Sequence, residues 1–540
     1  MNVTLEQIIE TLPLIGMYAE THFRFWVPFS RYFSREPELI FDMPWRLNPG
    51  EELTVFLIVK DAHRYPTHLK SVSMDILHSG DQIASLDWQL DETIQDHQRE
   101  FKFVCDQVTL PPGDYEVLPR LRYDVRGKTR EMLVDNYKGV RKVPLCVTVS
   151  SEKLPSLSGW VSGDTHVHTS LTTDQIEFGA SPENTQVVAG LLGLDFLTAT
   201  DHSYDLDDFA DDYLKNDPDL EKWYQSRKAL ALLNQNDLPT IIAGEEISVA
   251  NRRGATVHLL HYNDPVYHPG NGDSGEAWPK VQSELTIADV LQRRSPDAIS
   301  VGAHTGYKFS WLQSLLLKRG SWESRDHHHD GLNGVQILCG TPAYEAFHSS
   351  RHLWIQALLQ GYKLAVYGGS DGHGNFNRNW HVQLPMWSLG AHEDQIFGQS
   401  RTLLKSRTVR VADLVDAMKH RRTALSTGPI GDLSLWIKDQ HWGIGDVVNI
   451  STGQALILRA SGVSTEEFGL DLDVSIYAGD LVNREESLIY HGSFTSGNFE
   501  IHEEVKGVNR SYYRLEISSE GSRWPGIYIS SPIWIEKNNP

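Results

Sequence analysis

The sequence predicts an α/β fold: a core of repeated β/α units, with a β-sandwich ahead of it and a small β-domain behind. Three observations carry this reading. Residues 1–158 hold alternating apolar runs separated by Pro/Gly turns, residues 159–430 change to strand, loop, helix and strand, and residues 431–540 return to alternating strands.

Within the first segment, Leu53, Val55, Leu57 and Val59 alternate after the turn Asn48-Pro49-Gly50, as one buried face of a strand would. Pro111-Pro112-Gly113 turns the chain between strand-like runs at residues 101–105 and 115–123. No clustered polar constellation occurs there, so the segment reads as a packing or substrate-shaping module. Further on, Ser181-Pro182-Glu183 supplies a helix N-cap with proline in the first turn. Val187, Val188, Leu191 and Leu192 follow at helical spacing, and the helix should stop near Gly193. Residues 195–200 then form a short buried strand delivering Asp201 and His202 at its carboxyl end. The pattern recurs: residues 353–360 read as a helix, Gly361 as its C-cap, and residues 364–367 as a strand ending in Gly368-Gly369-Ser370-Asp371-Gly372-His373. Such units imply parallel strands with the site at their C-terminal edge. After Ser426-Thr427-Gly428-Pro429 the helical signal ends, and strands follow at residues 455–458, 474–477 and 512–517.

At 540 residues the chain exceeds what one hydrophobic core sustains, so two to four domains are expected. No apolar run approaches the ~20 residues that span a bilayer, and no membrane partner is expected. Glu6 and Glu10 stand where a secretory signal would be basic, which points to a cytoplasmic protein. The cysteines Cys105, Cys146 and Cys339 are too few and too dispersed for a disulfide framework or a thiolate cluster. A net charge of −22 repels polyanions, so a long nucleic acid is excluded as partner, whereas a small anion near bound cations is not.

The chemistry concentrates in a dispersed series of His and carboxylate motifs: Gly163-Asp164-Thr165-His166-Val167-His168-Thr169, Thr200-Asp201-His202, Gly244-Glu245-Glu246, Val257-His258, Ala303-His304 and Ser370-Asp371-Gly372-His373. A His-x-His pair on an extended strand aims both imidazoles to one side. Most of the motifs follow a β-type apolar run beside a small residue, leaving room for an ion. The candidate metal ligands are His166, His168, Asp174, His202, Glu246, His258, His304, Asp371 and His373. They suffice for two or three divalent cations such as Zn, Mn or Fe, which lower the pKa of water toward ~7. Two positions carry alternatives, because Glu245 and Glu246, like His258 and His261, differ in strand parity. The run His327-His328-His329 reads as a solvated loop. Tyr307, Lys308, Arg378, Trp380 and Arg401 lie near the motifs, where they either shape a pocket or fill plain surface and core positions.

In this order the motifs resemble the polymerase and histidinol phosphatase (PHP) superfamily of metallohydrolases. Leu353-Trp354 through Gly361-Tyr362 to His373, then Arg401-Thr402 and Thr427-Gly428-Pro429, resemble its carbaryl-hydrolase-like branch. The resemblance covers about half of the chain. It implies a distorted β/α barrel with fewer strands than the eight-fold form. It further implies one metal among His166, His168, Glu246 and Asp371, a second bridged by Glu246 to His258 and His304, and a third at Asp174, His202 and His373. Thr305, Gln336 and Cys339 depart from the family pattern, which bears on substrate contacts and on the groups behind the ligands. The implied activity is a metal-dependent hydrolase attacking small phosphoesters with a bridging hydroxide, Glu246 central and Asp371 or His202 moving the proton. Carboxyl or carbamate esters are the alternative small-molecule substrates, and a binding protein with structural metals is the alternative of another class.

Overall fold

The computed structural model describes residues 36–136, 142–173, 178–209, 212–272, 282–309, 314–315, 318–340, 345–377, 382–384, 387–389, 395–450, 455–506 and 511–537. Two compact units emerge: Met1–Lys153 with His168–Gly193 and Gly372–Phe397, and Leu154–Val167 with Leu194–Asp371 and Gly398–Pro540.

In the first unit, Glu38–Asp42, Thr54–Lys60 and Gln98–Val104 form one antiparallel sheet. A second sheet runs Arg46–Leu47, Leu145–Val149, Gly113–Val125, Thr67–His78 and Asp81–Ile94, with Lys128–Leu133 paired to Gly113–Val125. Leu57, Val59 and Phe103 from the first share a core with Val72, Met74 and Leu121 from the second. The strand Thr54–Lys60 departs from the expected alternation, because all seven of its residues are buried. Its other face is covered too: Phe56 lies 6.1 Å from Phe376, ring centre to centre. The helix Pro182–Leu192 forms where its signals place it. Ser181 Oγ accepts from the Asn184 backbone N–H, and Gly193 takes the left-handed conformation (φ 87°) that closes a helix.

The second unit includes the strands β1 (Trp160–His168, whose last residue falls in the first unit), β2 (Phe196–Ala199), β3 (Thr240–Ala250), β4 (Thr256–Tyr262), β5 (Ile299–Gly302), β6 (Gly334–Cys339) and β7 (Ala365–Gly369). The pairs β1–β2, β2–β3, β5–β6 and β6–β7 are parallel, but β3–β4 and β4–β5 are antiparallel. On its other side β1 pairs antiparallel with Arg401–Lys405, which leads through Thr423–Ser426 to the C-terminal strand Pro525–Ser530.

The expected PHP-type β/α barrel is therefore corrected to a strand-dominated arrangement with mixed sheets, 47% strand against 15% helix among the described residues. One reason lies in residues 251–255, which join β3 to β4. A five-residue link is too short for the helical crossover that parallel neighbours require, and it folds as a hairpin loop instead. Asn251 Oδ1 accepts from the backbone N–H groups of Arg253 and Ala255, and Gly254 takes φ 76°. The helix expected at residues 353–360 runs over Glu345–Leu359 and buries Trp354, whose indole donates to Leu364 O at 3.1 Å. Gly361, at φ 92°, turns the chain toward β7.

Candidate metal centre

The site grows from the parity of β3 and β4. Side chains alternate across a strand, so Glu246 and Glu245 point to opposite faces, as do His258 and His261. Glu246 and His258 share one face, and His258 Nδ1 lies 2.9 Å from Glu246 Oε1. The same oxygen meets His166 Nε2 from β1 at 3.3 Å and His304 Nε2, just past β5, at 3.2 Å. The other oxygen, Oε2, meets His202 Nε2 from the end of β2 at 3.4 Å. Asp371 Oδ1, just past β7, approaches His166 Nε2 at 3.2 Å. Six of the nine expected ligands thus gather around one carboxylate: His166, His202, Glu246, His258, His304 and Asp371.

Two of the six hold unusual backbone. His304 (φ 28°) and Asp371 (φ 57°) sit at positive φ, where a side-chain-bearing residue is disfavoured. Both follow a buried strand, and packing holds them there. Asp371 N donates to His166 O at 2.8 Å, and His304 N donates to Gln336 Oε1 at 3.0 Å.

Gln336 decides the protonation of His166. Its Nε2 donates to Gly369 O (3.1 Å), and its Oε1 accepts from His304 N, so the amide orientation is determined. Oε1 must then also accept from His166 Nδ1–H at 3.0 Å. That leaves the Nε2 lone pair of a neutral His166 facing two carboxylate oxygens, a repulsive arrangement unless a cation sits among them. In the absence of a metal, a proton fills that role. Burial alone would lower the pKa, but the Asp371 and Glu246 carboxylates raise it to about 9. His202 follows the same logic. Its Nδ1 meets Asp205 Oδ2 at 3.2 Å, and although burial acts downward, Asp205 and Glu246 hold the imidazole well above its ordinary pKa. An imidazole held behind by a carboxylate or amide and aimed forward by its other nitrogen is the usual setting of a metal-ligating histidine.

The cluster meets a narrow cleft with a cavity volume of only about 10 Å³, lined by His258, His304, Tyr307, Phe309, Arg319 and Trp322 among others. The Tyr307 ring stacks on His304 at 5.1 Å, and the Arg319 guanidinium lies 5.6 Å from the Phe309 ring centre.

His168 and His373 belong to the first unit, where their rings stack 3.9 Å apart at 6°. Asp174, Arg378 and Trp380 lie outside the described residues. Glu245 accepts from Trp223 Nε1 (2.6 Å) and Arg227 Nη2 (2.5 Å) on the far face. Lys308 is an exposed partner of Glu345, and Arg401 is a core residue donating to Ser162 Oγ and Gly428 O. The expected solvated loop His327-His328-His329 is corrected at its first member. His327 is wholly buried at the end of a 3-10 turn, Nδ1 2.9 Å from Glu323 O, and burial lowers its pKa to about 4. Sequence reasoning missed the orienting roles of Gln336 and Asp205. Asp205 stands three residues after His202, a spacing at which a carboxylate can reach back to an imidazole.

No family model matches the sequence, and no curated protein matches it. Among solved structures, similarity is found to a β-glucuronidase from Bacteroides uniformis (9% identity, 93% of this chain and 61% of that chain, TM-score 0.18). A glycosyl hydrolase family 2 member from Bacteroides cellulosilyticus gives 9% identity, 94% and 63% coverage, and TM-score 0.15. A β-glucuronidase from Parabacteroides merdae gives 8% identity, 93% and 64% coverage, and TM-score 0.17. The chain thus spans less than two thirds of each of these longer chains. The PHP resemblance is corrected on the first of these findings: no model of that superfamily matches the sequence. The phosphoesterase and ester-hydrolase activities drawn from it fall with it. TM-scores this low align too little of two chains to carry an argument, so no glycosidase activity is taken from them either.

Proposed function

We propose that the cluster around Glu246 is a divalent-cation centre, and that the chain acts on small molecules where this centre meets the cleft. The observation that carries the proposal is the determined orientation of Gln336. It aims Nε2 of a buried imidazole at carboxylate oxygens, a position that a metal ion can take in place of a proton. His166, Glu246 and Asp371 would hold one ion, and Glu246 with His258 and His304 a second. Imidazole and carboxylate donors without thiolates suit Zn, Mn or Fe. Such ions, when bound, supply Lewis acidity and make water acidic enough to react near neutrality. The chain's own groups do the rest. Gln336 and Asp205 fix imidazole orientation, Tyr307 packs flat against His304, and Arg319 brings a positive charge to the cleft wall that would favour an anionic or polarised group. Ester cleavage forms no part of this proposal.

The test is titration of the chelator-stripped full chain with Mn²⁺ and with Zn²⁺, followed by calorimetry. Saturable uptake that falls by one equivalent per chain in a His258→Ala, His304→Ala double variant is the expected result. Wild-type protein that takes up neither ion, or a double variant that binds as well, would refute it.

A further inference from the structure

The far face of the β3–β4 ribbon carries a second convergent set. His261 Nε2 lies 2.7 Å from Asp264 Oδ2, and His268 Nε2 lies 3.1 Å from the same oxygen. His261 is 1%, Asp264 3% and His268 1% exposed, and one ligand atom from each falls within 4.8 Å of the others. The chain is shaped to bring them together. His261 is the penultimate residue of β4, and Asn263 reverses the chain at φ 56°. Asp264 Oδ1 accepts from Val266 N at 3.1 Å, so the segment folds back and returns His268 to the strand it left. The two rings meet nearly edge to face, 4.8 Å apart at 87°, so the two nitrogens reach Asp264 Oδ2 from different directions. Behind the set, His261 Nδ1 is 3.0 Å from Ser300 Oγ, which Arg294 Nη1 also contacts at 2.9 Å.

A second observation points the same way. Glu245 pairs with His261 across the antiparallel register, so their side chains emerge side by side on this face. Its Oε1 is satisfied by Trp223 and Arg227, but its Oε2 is buried with no hydrogen-bond partner. An unsatisfied carboxylate oxygen of this kind costs stability and calls for an explanation.

From these features we infer that His261 Nε2, His268 Nε2 and Asp264 Oδ2 form a buried mononuclear zinc site, with the Glu245 carboxylate on the neighbouring strand as an adjacent negative charge. Two imidazoles and a carboxylate are donor types that zinc takes, and the three of them converge here. The role of the site is to pin the segment 263–268 to β4. It is separate from the Glu246 centre, being on the opposite face of the ribbon and sharing none of its ligands.

The test uses the full chain loaded with Zn²⁺. An anomalous-scattering map at the zinc edge should show a peak within ligating distance of both His261 Nε2 and His268 Nε2, and no peak there overturns the inference. A peak on this face with none at Glu246 would refute the cation centre and leave this site standing. In solution, His268→Gln should lower bound zinc by one equivalent per chain, whereas Glu246→Gln should leave that equivalent in place. An unchanged zinc count in folded His268→Gln protein overturns the inference. Should that variant fail to fold, the wild-type map decides.

Discussion

The two faces of the β3–β4 ribbon share a backbone, a register and a depth of burial, yet they treat charge in opposite ways. On one face Glu246 gathers four imidazoles, and its partners reach a solvent-facing cleft through His258, 9% exposed. On the other, Glu245 is met by Arg227 and Trp223, Asp264 is met by two imidazoles, and His261 is 1% exposed. The difference teaches that a single step along a strand separates an accessible centre from a sealed one. It also shows that burial by itself says little about reactivity. What matters is whether a carboxylate already has its counter-charge and whether anything can reach it.

The largest effect should come from breaking the near face. Glu246→Gln is expected to reduce Mn²⁺ affinity at this centre more than ~100-fold, beyond what orienting partners contribute, as read by calorimetry. Glu245→Gln should leave that affinity within a few-fold; an equal loss in both would abolish the distinction between the faces. Next comes the far face. Arg227→Met leaves the Glu245 carboxylate buried without its cation, which should cost about 3–5 kcal/mol in urea unfolding while cation uptake at Glu246 persists. A buried imidazole belonging to neither face sharpens the contrast. The His327 pKa is lowered to about 4 in the folded chain against an unfolded value of 6.5. The unfolded state therefore binds the extra proton between those values, and stability is complete above the upper one and declines as pH falls toward the lower. The loss is roughly 3 kcal/mol, and His327→Gln should flatten that part of the stability–pH curve. The smallest effect is expected at Gln336→Leu, a ~10–100-fold loss of affinity with the ligands themselves untouched. An affinity equal to wild type would show that the amide does not orient His166.

Much of the near face was legible in the sequence because its signals are local. A His-x-His pair closes β1, an Asp-Gly-His follows β7 and a Gly-x-Glu lies within β3, and parity with the family pattern favoured Glu246 and His258 over their neighbours. Gln336 was not legible as a positioning residue, since an amide within a buried strand looks like any other polar interruption until its partners are known. The topology failed for another reason. The βα signals around Pro182–Leu192 and Glu345–Leu359 were real, but the hairpin at residues 251–255 and the antiparallel pairing of β1 with Arg401–Lys405 set the sheet's character, and neither announces its partner along the chain. The burial of His327 depends on its indole neighbour Trp322, 5.5 Å away ring to ring, which a run of three histidines cannot reveal. The far-face set was half visible: His261 was recognised as the odd-parity alternative, but without Asp264 and His268 it had no company.

The amide at position 336 has a bearing on how the near face tolerates acidity. A carboxylate there would hold the His166 ring only while ionised, and would release or reverse it on taking up a proton. An amide has no such alternative form. Its grip on Nδ1–H, and with it the aim of Nε2, stays the same across the whole range in which the surrounding carboxylates exchange protons. The ring's heading is thus set by a group that takes up no proton of its own.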